Sequence, residues 1–204
     1  MGMFLRRGPA PHRTRLYDKA EGSIIKIAES GTPVAFYIAK HNYEAGLNGD
    51  GRTLMVRKDC YGNDTFNNIA SWISGTYLHL LDPEIQTAIG TTKFYYVAKG
   101  SSDNNPTMNQ SAVFMLSLKE LGKRRSNAST EGTKLPIAEL LQIAYLHGKA
   151  VRQWTRTPII DGGYLICTVN ADGSASDEAA GREAGCRPVF TLPSDMILTD
   201  EMLA

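Results

Sequence analysis

Apolar and polar residues alternate over several short stretches of this chain, a pattern typical of half-buried β-strands. Residues 23–28 and 33–39 are two such stretches joined by a Ser-Gly turn, and in the second Val34, Phe36 and Ile38 share one face. The same reasoning predicts further strands at residues 54–57, 93–98, 112–118, 151–156, 164–169 and 189–192.

Three segments have helical spacing instead. Residues 67–81 place their apolar side chains on one stripe, and a short helix is expected from Asp82-Pro83 to Gly90. The strongest periodicity lies between Pro136 and Gly148, where apolar residues recur at i, i+3, i+4, i+7 and i+8. This third segment is predicted as the clearest helix of the chain.

The order of these elements predicts the fold class and the domain organisation. Helices lie among many short strands without regular βαβ alternation or an internal repeat, which favours an α+β fold with a mainly antiparallel sheet. Residues 1–21 are rich in Arg and Pro and are expected to form an extended arm before a single domain at residues 22–204. The arm is interpreted either as an anchor that orders on a partner or as a frayed terminus.

Composition then excludes several classes of protein. The 204 residues are 42% hydrophobic and carry a net charge of +1, so no overall field attracts nucleic acid or an acidic membrane. The basic residues at 119–125 have no aromatic residues among them to stack bases, which also argues against a nucleic-acid partner. No apolar run reaches the roughly 18 residues of a membrane span, and the first residues do not resemble a signal peptide.

Residues that could carry catalysis are scattered. The chain has no motif of nucleotide-binding proteins, serine hydrolases or zinc proteases. The loops at 44–52 and 170–178 are rich in glycine and acidic residues and are better explained as turns than as calcium sites, although calcium binding by a loop stays open. We therefore expect no catalytic residue, no metal site and no cofactor. The side chains considered for catalysis or metal binding are the four histidines and three cysteines: His12, His41, His79, His147, Cys60, Cys167 and Cys186.

The most specific pattern lies near the C-terminus. The runs Trp154-Thr155-Arg156-Thr157-Pro158 and Gly185-Cys186-Arg187-Pro188 each place an arginine within β-forming, apolar surroundings. A guanidinium buried there is costly unless its five N–H donors find acceptors. The preferred interpretation is that both arginines tie loops to the sheet through backbone oxygens; the alternative is that they clamp a ligand.

These runs, together with Ser71-Trp72-Ile73-Ser74 and residues 113–117 with Glu120, resemble motifs of a family of uncharacterised domains in bacteria and their phages. The resemblance extends from about residue 22 to residue 194. Such domains are similar to the C-type-lectin fold, which implies two or three short helices, a twisted antiparallel sheet and long loops that serve display rather than catalysis. The motif residues are Trp72, Trp154, Arg156, Pro158, Gly185, Arg187 and Pro188.

The resemblance implies a structural protein of a phage or prophage virion, such as a tail, fibre or decoration component. Its arm would bind other virion proteins, it would form a homo-oligomer, and its body would assist assembly or contact a host-surface receptor. One alternative is an oxidoreductase similar to formylglycine-generating enzymes, in which Cys167 and Cys186 would hold copper. The other is a bacterial surface module that binds sugar or peptide. Exposed aromatic rings would favour it, but the loops at 100–109 and 170–185 contain none.

Overall fold

The computed structural model describes residues 13–204. Thirteen strands are found there, most of them shorter than seven residues. They are Ile24–Glu29 (β1), Thr32–Lys40 (β2), Arg52–Arg57 (β3), Gly62–Thr65 (β4), Thr92–Tyr96 (β5), Thr107–Ser111 (β6), Ala144–Leu146 (β7), Lys149–Val151 (β8), Gln153–Pro158 (β9), Leu165–Val169 (β10), Ala175–Ala179 (β11), Glu183–Cys186 (β12) and Val189–Pro193 (β13).

The helices are few and short. They are Ala45–Asn48 (α1), Phe66–Gly75 (α2), Pro83–Ala88 (α3), Ala138–Leu141 (α4) and Asp200–Leu203 (α5), with 3-10 turns at Leu16–Asp18 and Tyr77–Leu80. None of the helices between residues 13 and 204 combines the length and apolar character needed to cross a bilayer.

One sheet has four strands in the order β1-β2-β3-β13, and every pair is antiparallel. The β1–β2 hairpin turns at Ser30 and Gly31, whose φ angles of 48° and 76° are both positive. Two positive φ angles define the tight turn whose twist matches that of the flanking strands. The Ser-Gly turn expected from the sequence is therefore the turn observed.

The second large sheet has five strands in the order β11-β10-β9-β12-β4. Its pairs are antiparallel except β12 with β9, which are parallel and meet at Gly185 and Gln153. The hairpins β5–β6 and β7–β8 form separate two-stranded sheets. The predicted α+β class with mainly antiparallel strands is thus confirmed.

Two hydrophobic clusters fill the interior. One contains Phe36, Phe190 and Trp154 together with the apolar stripe of α2, and the other contains Tyr43 and Phe114. The stripe on α2 is the one expected from the sequence, although the helix ends at Gly75 and gives way to a 3-10 turn.

The predicted helix at 136–148 is wrong over most of its length. Only Ala138–Leu141 is helical, and the chain then forms the β7–β8 hairpin. His147 and Gly148 have φ angles of 50° and 77°, so they make the same kind of two-residue turn as Ser30-Gly31. The apolar residues do recur at helical spacing, but the His147-Gly148 turn within this segment folds the chain into a hairpin instead.

Two further predictions of local structure are wrong. The strand expected at 112–118 is irregular backbone that joins the four-stranded sheet through a single bridge between Phe114 and Val189. The loop expected after residue 173 instead contains β11 and β12. These two strands consist mostly of small and polar residues, so no apolar alternation predicts them. Backbone pairing of β11 with β10 and of β12 with β4 holds the two strands in place.

The part of the predicted arm that the structure describes belongs to the folded body. Leu16 is fully buried, its N–H donates to the Met196 carbonyl at 2.8 Å, and the Leu198 N–H donates to the Thr14 carbonyl at 2.9 Å. The body thus includes residues before the expected boundary at 21. The rest of the arm, residues 1–12 with Arg6 and Arg7, lies outside the described residues.

Candidate functional site

Strand β9 carries the Trp-Thr-Arg-Thr-Pro run through the centre of the five-stranded sheet, and all its residues are buried. The Trp154 indole N–H donates to the Asp64 carbonyl at 3.0 Å, and its ring meets that of Phe66 edge to face. Pro158 pairs with Ile166, and its carbonyl accepts the Ser129 N–H. The strand therefore connects its sheet to the start of α2 and to the segment at Ser129.

Arg156 lies in the middle of this strand and is 4% exposed. Its Nε donates to the Tyr95 carbonyl at 3.1 Å, while Nη1 donates to the Met115 carbonyl at 2.8 Å and to Glu120 Oε2 at 2.6 Å. Glu131 is the second carboxylate, 4.0 Å from Nε. Nη2 has no acceptor among the described residues. One guanidinium thus fixes the β5–β6 hairpin, the 113–120 segment and two buried carboxylates.

The two carboxylates have further partners that explain their burial. Glu120 accepts the Tyr43 hydroxyl at 2.6 Å, and Glu131 accepts the Val97 N–H at 2.6 Å and the Thr157 hydroxyl at 2.8 Å. Burial raises the pKa of Glu131 to about 7, because the opposing effects of Arg156 and these hydrogen bonds offset it only in part. Burial lowers the pKa of Arg156, but the nearby Glu120 and Glu131 carboxylates outweigh it, so that pKa is raised.

Arg187 is also 4% exposed but has no carboxylate partner. Its Nε donates to the Arg57 carbonyl at 3.0 Å, and Nη1 donates to the Leu141 carbonyl at 2.7 Å. The Lys58 carbonyl and the Gln153 amide oxygen are its other acceptors. Burial lowers the pKa of this arginine. Arg187 fastens the end of β3 and the segment before β7 to the centre of the molecule.

The residues beside Arg187 allow neighbouring segments to pack closely around it. A Cβ on Gly185 would stand 2.5 Å from Cys60 Sγ and 3.1 Å from the Arg152 carbonyl, so only glycine fits there. The Pro188 carbonyl accepts the Arg57 N–H at 3.1 Å. Both motif runs thus hold irregular segments on the sheet by hydrogen bonds to backbone.

The remaining motif residue, Trp72, belongs to a different feature, which we call the aromatic cavity. Tyr61, Gly62, Asn63, Asp64, Ile69, Trp72 and Cys186 line it, and its volume is about 190 Å³. The Tyr61 and Trp72 ring centroids are 4.7 Å apart, and Tyr61 is 43% exposed. The buried ring of Tyr77 supports both from behind, 5.4 Å from Trp72 and 5.8 Å from Tyr61. An aromatic surface is therefore open to solvent at this edge of the five-stranded sheet.

A buried ion pair holds these rings in place. Arg57 Nε lies 2.8 Å from Glu29 Oε1, and the Tyr77 hydroxyl donates to the same carboxylate. The Arg57 guanidinium lies 5.6 Å from the centre of the Tyr61 ring. Burial and the charge of Glu29 raise the pKa of Tyr77, so its hydroxyl stays protonated. The orientation of the rings is thus determined before any ligand arrives.

Polar groups stand at the rim of the aromatic cavity. Asn63 is exposed, and Asp64 is half-buried. Asp64 Oδ1 accepts the Thr65 N–H at 2.7 Å and the Asn68 amide at 2.8 Å, which fixes the carboxylate at the start of α2. The cavity therefore combines flat apolar surface with an amide and a carboxylate of defined position, which is the usual composition of a small-ligand site.

The cysteines do not form the pair considered from the sequence. Cys167 is in β10 and Cys186 in β12, and β9 lies between these strands rather than the two being neighbours. All three thiols are buried and unlinked, and burial raises the pKa of Cys60 to about 11 and of Cys167 to about 12. Among residues 13–204, no group of three or more His, Cys, Asp or Glu side chains is placed to hold a metal.

Sequence reasoning identified Trp72 and Cys186 but missed Tyr61, Asn63 and Asp64, the aromatic and polar residues at the open side of the cavity. Tyr61, Asn63 and Asp64 lie in a Tyr-Gly-Asn-Asp segment whose composition favours a turn, so nothing marks β4. Glu131, the partner of Arg156, stands in a polar loop without a periodic pattern. The only available signal was that a buried arginine needs an acidic partner. Several acidic residues of the chain satisfy that requirement, so the sequence does not single out Glu131.

Comparison with known proteins yields one match. Residues 50–194, well over half of the chain, match the family model described as "Domain of unknown function (DUF6273)". This range contains both arginine runs and the whole aromatic cavity. Neither a curated protein nor a solved structure matches the chain.

Proposed function

We propose that this chain, which belongs to the DUF6273 family of domains of unknown function, is a recognition module that binds carbohydrate. The observation that carries the proposal is the aromatic cavity, where exposed Tyr61 and half-buried Trp72 stand beside Asn63 and Asp64. Exposed aromatic rings are the feature expected of a sugar-binding module, because sugar faces stack on them. The loops at 100–109 and 170–185 lack such rings, whereas Tyr61, directly before β4, and Trp72 in α2 supply them.

The chemistry of a sugar suits this site in two respects. The C–H face of a pyranose ring packs on an aromatic ring and removes apolar surface from water. Its hydroxyl groups donate to a carboxylate such as Asp64 and exchange hydrogen bonds with an amide such as Asn63. Because the rings and the carboxylate are already held by Tyr77, Glu29 and Asn68, little conformational entropy is lost on binding.

The proposed setting is the one implied by the family resemblance. A sugar-binding face on a C-type-lectin-like body is what a phage or prophage virion protein needs to contact a host surface. A surface module of a bacterium would use the same face. The burial of both motif arginines favours a scaffold for presentation, since neither guanidinium is free to act on a substrate.

The oxidoreductase alternative receives no support from the described residues. A copper site would require two thiols to meet in a cleft. Cys167 and Cys186 are fully buried on strands separated by β9 and belong to different hydrophobic clusters. We therefore propose no enzymatic activity.

The test is a screen of the full chain on immobilised bacterial surface glycans, followed by calorimetric titration with the strongest soluble ligand. Tyr61→Ala removes the exposed ring and is expected to weaken binding by about tenfold, the size of one aromatic contact. Tyr164→Ala serves as the matched control, because Tyr164 is 75% exposed and does not line the cavity. Equal loss in both variants, or no glycan bound, would refute the proposal.

A further inference from the structure

A second surface feature lies at the β1 edge of the four-stranded sheet and has no role in the function proposed above. It is a groove of about 490 Å³ between β1, α3 and α5, which we call the β1 groove. Apolar side chains form its floor, among them Ile27, Ile85 and Met202. Its rim is charged, and the charges are mostly of one sign.

The rim carries three carboxylates, Asp82, Glu84 and Glu201, against the single ammonium group of Lys26. All four residues are exposed. No salt bridge joins any of them to another residue within the described range 13–204. A groove with an apolar floor and unpaired acidic groups at its rim is complementary to a ligand that is both apolar and basic.

The backbone of β1 specifies the shape of that ligand. β1 is the edge strand of its sheet, and α5 lies beside it. Among the described residues, the backbone hydrogen bonds on its outer edge come from residues 80–82: the Asp82 N–H donates to the Ala28 carbonyl at 3.3 Å. Residues of a strand point their peptide groups to alternate edges, so the N–H and C=O of Lys26, two residues earlier, face the same outer edge. No strand of the described chain pairs with them. This edge can accept an extended segment in line with residues 80–82.

We propose that the β1 groove is the docking site for an extended, basic peptide segment of a partner protein, which adds to β1 as a further strand. Main-chain hydrogen bonds to Lys26 would give affinity, as in other cases of strand addition. The apolar floor would accept every second side chain of the segment. The acidic rim would pair with its basic residues and select against acidic segments.

The test uses the full chain and two fluorescently labelled octapeptides, one alternating arginine with valine and the other glutamate with valine. The basic peptide is expected to bind and the acidic one not to bind. Lys26→Pro removes the outward N–H and should abolish binding, since proline is tolerated on an edge strand but cannot donate. Lys26→Ala keeps that N–H and should bind within about twofold of the parent chain, because only one rim charge changes.

Charge is tested separately. Glu84→Lys combined with Glu201→Lys should weaken the basic peptide by about tenfold or more, whereas Glu183→Lys, an exposed acidic position outside the groove, should not. Circular dichroism confirms that each variant is folded.

Three results would overturn the proposal: no binding of the basic peptide, equal binding of both peptides, or unchanged binding by Lys26→Pro. A dimer in light scattering that Lys26→Pro abolishes would also overturn it, because the occupant would then be a second copy of this chain. Neither the peptide nor these variants touch the aromatic cavity, so the outcome is independent of glycan binding.

Discussion

Arg156 and Arg187 are equally buried but are accommodated in different ways. Arg156 is neutralised by Glu120 and lies near Glu131, and its pKa is raised; Arg187 is surrounded by backbone carbonyls and one amide, and its pKa is lowered. Carbonyl oxygens satisfy donors without supplying charge, whereas carboxylates supply charge but must themselves be desolvated. Two similar sequence motifs thus produce one site that is sensitive to ionisation and one that is not.

The two arginine sites also differ in how many side chains they depend on. Arg187 donates to three backbone carbonyls from two segments, those of Arg57, Lys58 and Leu141, so the link between these segments depends on one side chain. The Arg156 site is a network in which Tyr43, Thr157 and Val97 also bond to the carboxylates. Removal of one member of such a network leaves the others unsatisfied in the interior.

The largest expected effect is that of Arg156→Met. This substitution keeps most of the side-chain volume but leaves Glu120 and Glu131 without their cation, which costs about 3–5 kcal/mol of unfolding free energy. Chemical denaturation at neutral pH measures it. A loss below about 1 kcal/mol would show that the carboxylates are neutral and that the ion pair contributes little.

Arg187→Met is expected to cost less, about 2–4 kcal/mol, because only carbonyls lose their donors. No charge is left behind, so this loss should stay the same between pH 5 and pH 8. The same denaturation experiment repeated across that range is the measurement. A loss under about 0.5 kcal/mol would place the guanidinium in solvent and contradict its observed burial.

The smallest effect is expected for Glu131→Gln, and it concerns pH dependence. The folded pKa of Glu131 is about 7, above its ordinary value of 4.5, so its contribution is fully present below pH 4.5 and is lost as the pH rises through 7. Relative to the parent chain, the glutamine variant should therefore gain on the order of 2 kcal/mol between pH 4.5 and pH 8. A constant difference between the two proteins across this range would exclude a raised pKa.

Some elements of the fold could be predicted from local sequence and others could not. The hairpin at Ser30-Gly31 and the start of α3 at Pro83 depend on residues adjacent in sequence, and both are found. Asp82 precedes α3 as expected, although its side chain makes no capping hydrogen bond. The helix expected at 136–148 failed because His147-Gly148 favours a hairpin turn that an apolar period does not reveal.

The candidate site shows the same division. Sequence alone identified the arginine runs, since a charge in an apolar β segment requires partners wherever it lies. It did not identify those partners, because Glu120 and Glu131 are 36 and 26 residues from the side chains they meet on β9, and many acidic residues were equally plausible.

What the sequence determined by itself was therefore the α+β class, the tight turns and the two arginines that must be buried with acceptors. The tertiary structure decided which acceptors they found, where residues 138–151 folded, and that Tyr61 and Trp72 share one open cavity. The physical reason is range: turn and strand preferences act over a few bonds, whereas burial and charge pairing depend on groups that only the completed fold brings together.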